Sequence, residues 1–322
     1  MVLTVTINPL LERRYEYQKV SLHHQNRNGV VTLQAGGKGI NVSRQLSELN
    51  VQNIALTFLG GANGKAFRNA LNKEAISFSF ISTKSETRDC AVIINSSEPS
   101  VSSFFGEDPE ISTNEVDAFL LKLEKMITNS AIVVFSGSSP CKQTDSIFPA
   151  GIEMANKHGK ISVCDTYGDH LQNCIDASPT VIHNNINETE SSLKISLKTE
   201  NEKLEYLELL YSKGIKQAFL TDGENSFYSS NFDFHYKVAV PKIAAVDPTG
   251  CGDAFTSGIV YGWHHQVTFM EQLIFASSLG TANAGMFDVC KVSKATADRF
   301  TGKIKPEAVG KKMKVINDKP EK

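Results

Sequence analysis

No stretch of this chain approaches the roughly 20 consecutive apolar residues that a membrane-crossing helix needs, which argues against an integral membrane protein. Charge of one sign is also missing. Lys and Arg total 33 against 35 Asp and Glu, a formal charge of −2. No positive excess exists to neutralise nucleic-acid phosphates, so no such partner is expected. The start, MVLTVTINPLLERR, has no basic segment followed by a long apolar one. No secretory signal is read there, and a cytoplasmic location is expected. The six cysteines (Cys90, Cys141, Cys164, Cys174, Cys251, Cys290) form no C-x-x-C pair, leaving no zinc or dithiol signature. They are expected as free thiols in a chain large enough to build its own core. The N-x-S/T matches at Asn41, Asn95 and Asn187 are then chance. The single tryptophan, Trp263, is read with the phenylalanines as core. Internal repeats and low-complexity linkers are absent.

What is present is 322 residues, 41% hydrophobic and 21% charged, the composition of one large α/β domain or two ordinary ones. Strand-like and helix-like segments alternate. VLTVTI (Val2–Ile7), IALTF (Ile54–Phe58), AIVVFS (Ala131–Ser136), ISVCD (Ile161–Asp165), TVIH (Thr180–His183) and QAFLT (Gln217–Thr221) read as strands. Helical spacing follows at Ile40–Leu49, in KAFRNALNKEA, and over Ser112–Ile127, which opens with the capping box Ser112-x-x-Glu115. The nearly all-apolar AIVVFS predicts a parallel strand covered on both faces. The repetition predicts a three-layer α/β/α sandwich around a mostly parallel sheet. Segments 10–35 and 78–106 carry strand-like pieces (Val30–Gln34, Cys90–Asn95, Val101–Phe105) without helices between them. They are read as a small β lid over a site, inserted in a single domain spanning 1–322. The Lys-rich end, with Lys311, Lys312 and Lys314, is read as a fraying helix with a solvated face.

Two glycine-rich segments run into helices. In AVDPTGCGDAFTSG, Gly250-Cys251-Gly252 turns the chain tightly and leaves backbone N–H groups facing whatever lies beyond the helix start. The helix dipole favours negative charge there. Asp253, in the first turn, is placed to take a proton from a hydroxyl. A carboxylate base beside an anion hole is what phosphoryl transfer to an alcohol requires. The competing reading is a plain N-cap. The second segment, Gly36-Gly37-Lys38-Gly39-Ile40-Asn41, has Val42 where a dinucleotide fingerprint needs glycine, and it is not a Walker loop. Gly60-x-x-x-Gly64-Lys65 has the wrong spacing for one and is read as a turn. The pair His264-His265 has no third ligand at metal spacing and is read as surface.

Together GGKGINVSRQL and DPTGCGDAFTSG resemble the N- and C-terminal signatures of the PfkB (ribokinase-like) carbohydrate kinase family. Asn8-Pro9, Glu86-Thr87-Arg88, Ser136-Gly137-Ser138, Asn185-x-x-Glu188 and Leu220-Thr221-Asp222-Gly223 extend the resemblance over nearly the whole chain. It is closest to the branch that phosphorylates hexose phosphates, which contains 1-phosphofructokinase and tagatose-6-phosphate kinase. The resemblance implies an ATP-dependent kinase acting on fructose 1-phosphate or tagatose 6-phosphate, with magnesium as cofactor. It implies Asp253 as base and the amides of Gly250, Cys251 and Gly252 as the hole for the transferring phosphoryl group. Glu12, Gly36, Gly37, Lys38, Asn41 and Ser138 would bind the sugar, and Arg88 its phosphate. Arg27, in the first lid segment, stands between a phosphate contact and a surface position. His183, Asn185, Glu188, Thr221, Gly223 and Asn283 would serve the nucleotide, with Glu188 reaching magnesium through water.

Two departures stand out. Glu12 occupies the place of the family's aspartate in N-P-x-x-D, and His183-Asn184 the place of Lys-Pro before Asn185. They keep open two alternatives: a sugar-phosphate-binding protein with little turnover, and a kinase for an unphosphorylated sugar or a nucleoside. Exposed lid edges make a homodimer an expectation.

Overall fold

The structure, a computed structural model, describes residues 1–98 and 100–310. The Lys-rich end expected as a fraying helix lies outside the described residues.

Short apolar segments with little polar alternation need cover on both faces, and they find it in the central strands. Ile132–Ser136 is buried at every position, as are all five residues of Val2–Thr6. A ten-stranded sheet runs, from one edge, Phe78–Ser82, Asn53–Leu59, Val2–Thr6, Ile132–Ser136, Ile161–Asp165, Val181–Asn185 and Gln217–Thr221. These seven pair in parallel. Phe227–Asn231, Phe234–Ala239 and Lys305–Val309 then extend it antiparallel.

Helices cover both faces. Thr113–Thr128, Ile147–Lys157, Leu171–Asp176 and Glu200–Ser212 share one core with Leu3, Val5 and Phe135. Lys38–Glu48, Cys251–His265, Phe269–Ala284 and Lys294–Thr301 share the other with Val2, Val134 and Val163. The capping box at Ser112 forms as expected, with the Ser112 N–H donating to Glu115 Oε2 at 2.7 Å. No helix among the described residues is long and apolar enough to cross a membrane. All six cysteines are free.

The lid is a separate four-stranded sheet ordered Val30–Gly36, Leu10–Tyr17, Arg88–Asn95, Ser100–Phe105. One expectation is corrected. Phe78–Ser82, read as the start of the second lid segment, is instead the edge strand of the main sheet, in parallel register with Ala55–Leu59. The helix Gly61–Lys73 supplies the crossover that a parallel pair requires, so the lid excursion begins only after it.

Candidate active site

In an open parallel sheet, ligands gather beyond the carboxyl ends of the strands. Asn8, Ser138, Asp165, Asn185 and Thr221 all sit at or just after such ends. Two clefts meet there. The first, about 500 Å³, is lined by Thr221, Gly223, Phe227, Val240, Ala245 and Phe255 among others. The second, about 330 Å³, lies under the lid and is lined by Asn8, Glu12, Arg14, Arg88, Ser138 and Asp253 among others. Lys38, Asn185, Glu188, Pro248, Cys251 and Gly252 belong to both walls.

The helix Cys251–His265 starts at this junction. Its N-cap, Gly250, has φ 76°, and a Cβ there would lie 2.4 Å from Val289 Cγ1, so the position requires glycine twice over. First-turn amides have no intrahelical partner. That of Cys251 leans on the Pro248 carbonyl at 3.2 Å. Asn283 does not line the first cleft. It is fully buried behind the loop, where its amide donates to the Thr249 carbonyl (2.8 Å) and its Oδ1 accepts from the Cys290 amide (2.8 Å). The expected nucleotide contact is thereby replaced by a brace.

Asp253 is 4% exposed. Burial pushes its carboxyl up to about 7, and the charges of Asp165 and Glu188 add to this, against Lys38 and an Asn41 hydrogen bond. Asn41 Nδ2 donates to Asp253 Oδ2 at 2.7 Å, and Arg44 donates to Asn41 Oδ1 at 2.7 Å, which fixes the amide's orientation. Asn41 is therefore engaged with Asp253 in this structure. Lys38 Nζ lies between Asp165 Oδ1 (3.2 Å) and Glu188 Oε1 (3.0 Å). Burial works against its charge, but the three carboxylates Asp165, Glu188 and Asp253 outweigh it and hold the ammonium firmly protonated. Asp165 is buried as well, yet Lys38, His183 and Thr256 keep it below the usual carboxylate range.

His183 bridges the layers. Its Nδ1 is 3.0 Å from Thr256 Oγ1 and its Nε2 3.1 Å from Thr221 Oγ1, and it lines the first cleft. Asn185 caps the helix Ile186–Leu193, its Oδ1 accepting from the Glu188 amide at 2.8 Å. That cap aims the first turn, with Glu188, at the junction.

In the second cleft Arg88 donates to Asp108 Oδ1 (2.7 Å) and to the Asn8 carbonyl (3.2 Å), while its buried Nε has no hydrogen-bond partner among the described residues. Asp89, a neighbour that could have claimed it, pairs with Arg13 instead. Ser138 Oγ accepts from Asn8 at 3.1 Å. Gly36 sits behind the wall, where a Cβ would come within 2.6 Å of Glu12 Oε1. Its missing side chain makes room for the longer carboxylate. Arg27 is not in the site. It is exposed in the connection between the lid strands Leu10–Tyr17 and Val30–Gly36, donates to Gln25 Oε1 at 2.6 Å, and lines neither cleft.

A family model for pfkB family carbohydrate kinases matches residues 9–293. The chain belongs to this family. A tagatose-6-phosphate kinase from Staphylococcus epidermidis is 31% identical over 295 residues, covering 88% of this chain and 92% of that protein. A Thermotoga maritima structure described as a possible 1-phosphofructokinase superposes with TM-score 0.89 at 23% identity, covering 96% of this chain and 100% of the other. Phosphofructokinase-2 from Escherichia coli in complex with fructose-6-phosphate gives 0.82 at 18% identity, over 94% and 98%. These structures share the ribokinase-like fold.

Within this pfkB kinase, Arg14 lines the second cleft, while Asp165 and Asp108 pair with Lys38 and Arg88, and no motif in the sequence singles these three out. Thr256, which holds Asp165 and His183, lies inside the second signature but carries no role there. Asp165 has an available signal, the carboxyl end of a parallel strand. Arg14 has another, since Leu10, Glu12 and Arg14 alternate onto one face of a strand.

Proposed function

We propose that this pfkB kinase transfers the γ-phosphate of ATP to a hydroxyl of a phosphorylated ketohexose, with Asp253 as general base. One observation carries the reading: the Gly250–Gly252 loop forms the wall between a largely apolar cleft and a more mixed one under the lid, and Asp253 lines only the second. The nucleotide enters the first cleft, its base against the apolar Phe227, Val240 and Phe255 and its phosphates toward Lys38 and the helix start. The acceptor sits under the lid with its phosphate toward Arg88. Asp253, titrating near the working pH, takes the hydroxyl proton as oxygen attacks phosphorus. The amides at the helix start and the Lys38 ammonium stabilise charge on the transferring group.

Magnesium fits this donor set in a limited way. Among the described residues no three His, Cys, Asp or Glu side chains gather as a metal site. Glu188 alone presents a carboxylate at the junction, which suits a cation that keeps its waters and takes phosphate oxygens. Bound there, the ion would neutralise phosphate charge. The relative that is named a tagatose-6-phosphate kinase supports a phosphorylated acceptor, as does the Arg88 guanidinium lining the second cleft.

The test is ADP release with MgATP and either fructose 1-phosphate, fructose 6-phosphate, tagatose 6-phosphate or the free sugars. Faster turnover of a phosphorylated ketohexose supports the assignment. Better turnover of a free sugar or a nucleoside would replace the acceptor, and no turnover of any would leave a binding protein.

A further inference from the structure

The lid face that closes the second cleft is built from alternate residues of paired strands: Leu10, Glu12 and Arg14 opposite Arg88, Cys90 and Val92. Arg14 lies four residues along the strand from the position facing Arg88, roughly 13 Å away at strand rise. Its guanidinium is committed elsewhere. Nη1 donates to Glu12 Oε2 at 3.0 Å, Nη2 donates to the Phe287 carbonyl at 3.0 Å, and Nη2 stands 3.8 Å from Asp247 Oδ2. Arg14 and Glu12 are both about nine-tenths buried, and Asp247 is almost wholly so.

Asp247 opens the loop that leads into the anion hole. Its Oδ1 accepts from the Thr249 amide at 2.9 Å, which shapes that loop, while Oδ2 makes no hydrogen bond among the described residues. Arg14 is the cation paired with it. One side chain thus joins three parts of the molecule: the lid carboxylate in the acceptor cleft, the segment after the helix Phe269–Ala284, and the phosphoryl-binding loop.

We propose that Arg14 is a positioning residue that latches the lid strand onto the 247–252 loop, so that Glu12 and the helix-start amides meet the acceptor in one arrangement. The inference rests on the kinase reading and adds to it a coupling between lid and loop. A buried guanidinium with two carboxylates and a carbonyl is costly to disrupt, because each partner is left unpaired in a dry setting. The first cleft does not include Arg14 and shares with the latch only the loop residues Pro248, Cys251 and Gly252, so loss of the latch should disturb nucleotide binding less than acceptor binding.

The experiment measures acceptor KM, kcat and nucleotide Kd for Arg14→Met, Asp247→Asn and the double variant, using whichever sugar the wild type phosphorylates best. Arg14→Met should raise acceptor KM and lower kcat by about tenfold each, with nucleotide Kd within about twofold. Adding Asp247→Asn to Arg14→Met should cost no further kcat, since the ion pair is already lost. Should Arg14→Met not fold, Arg14→Lys gives the same readout, because it keeps the charge and loses the fork. Unchanged acceptor kinetics, a nucleotide Kd shifted as much as acceptor KM, or additive losses in the double variant would each overturn the latch. Wild type failing on every phosphorylated sugar overturns the acceptor assignment alone.

Discussion

Replacing Asp253 by asparagine removes a proton acceptor while keeping the side chain's shape and its contact with Asn41. The wild-type carboxyl titrates at about 7, raised from 3.8 first by burial and then by the charges of Asp165 and Glu188. Below that pH the proposed base is protonated and cannot accept the hydroxyl proton. The wild-type kcat/KM should therefore rise about tenfold per pH unit up to roughly 7 and level off above it. The asparagine variant should lose about 10²- to 10⁴-fold in kcat, and that limb of the profile with it. Nucleotide Kd should stay near the wild-type value.

Stability supplies an independent sign. A carboxyl whose folded value is raised binds its proton more tightly folded than unfolded. On this group alone, stability falls as pH rises from about 4 to about 7. The variant lacks that dependence, so its Tm relative to wild type should grow between pH 5 and pH 8. ADP-release kinetics across that range, with thermal melts in the same buffers, measure both. A variant that keeps most of its kcat, or retains the limb near 7, would refute Asp253 as the base.

Glu188→Gln should raise the magnesium concentration for half-maximal rate by about 10–100-fold while moving acceptor KM much less; an unchanged magnesium titration removes Glu188 from the metal's surroundings. Arg88→Ala should lower kcat/KM by about 10–100-fold for a phosphorylated ketohexose and little for the free sugar; equal losses on both would make Arg88 a partner of Asp108 only. The lid edges expose Val30, Val31, Leu33 and Phe104, so the chain should sediment as a dimer, and Val31→Lys with Phe104→Lys should yield a 35.3 kDa monomer; a wild type that is already monomeric refutes a lid-edge dimer.

Much of this arrangement is legible in the amino-acid sequence, because its signals are local. Apolar runs mark the central strands, and glycines entering helices mark both ends of the site, Gly37 to Asn41 and Gly250 to Asp253. Local pattern fails where the deciding contact is remote. Phe78–Ser82, half-buried along most of its length, suits an edge strand of either sheet, and only its pairing with Asn53–Leu59 chooses. Arg27 has the right charge in the right segment, but a turn carries it into solvent. Asn283 reads as a polar face on a helix, and its partners Thr249 and Cys290 lie 34 and 7 residues away.

Glu12 shows the difference most directly. Beside the family's aspartate, an extra methylene looks like a liability. In the fold, Gly36 leaves the space that methylene needs, and Arg14 neutralises the carboxylate it carries. Three residues thus form one compensated unit, each visible in the sequence and none interpretable there alone. The unit reaches through Arg14 to Asp247, so a change at Glu12 bears on the loop proposed to hold the transferring phosphate as well as on the proposed sugar contact.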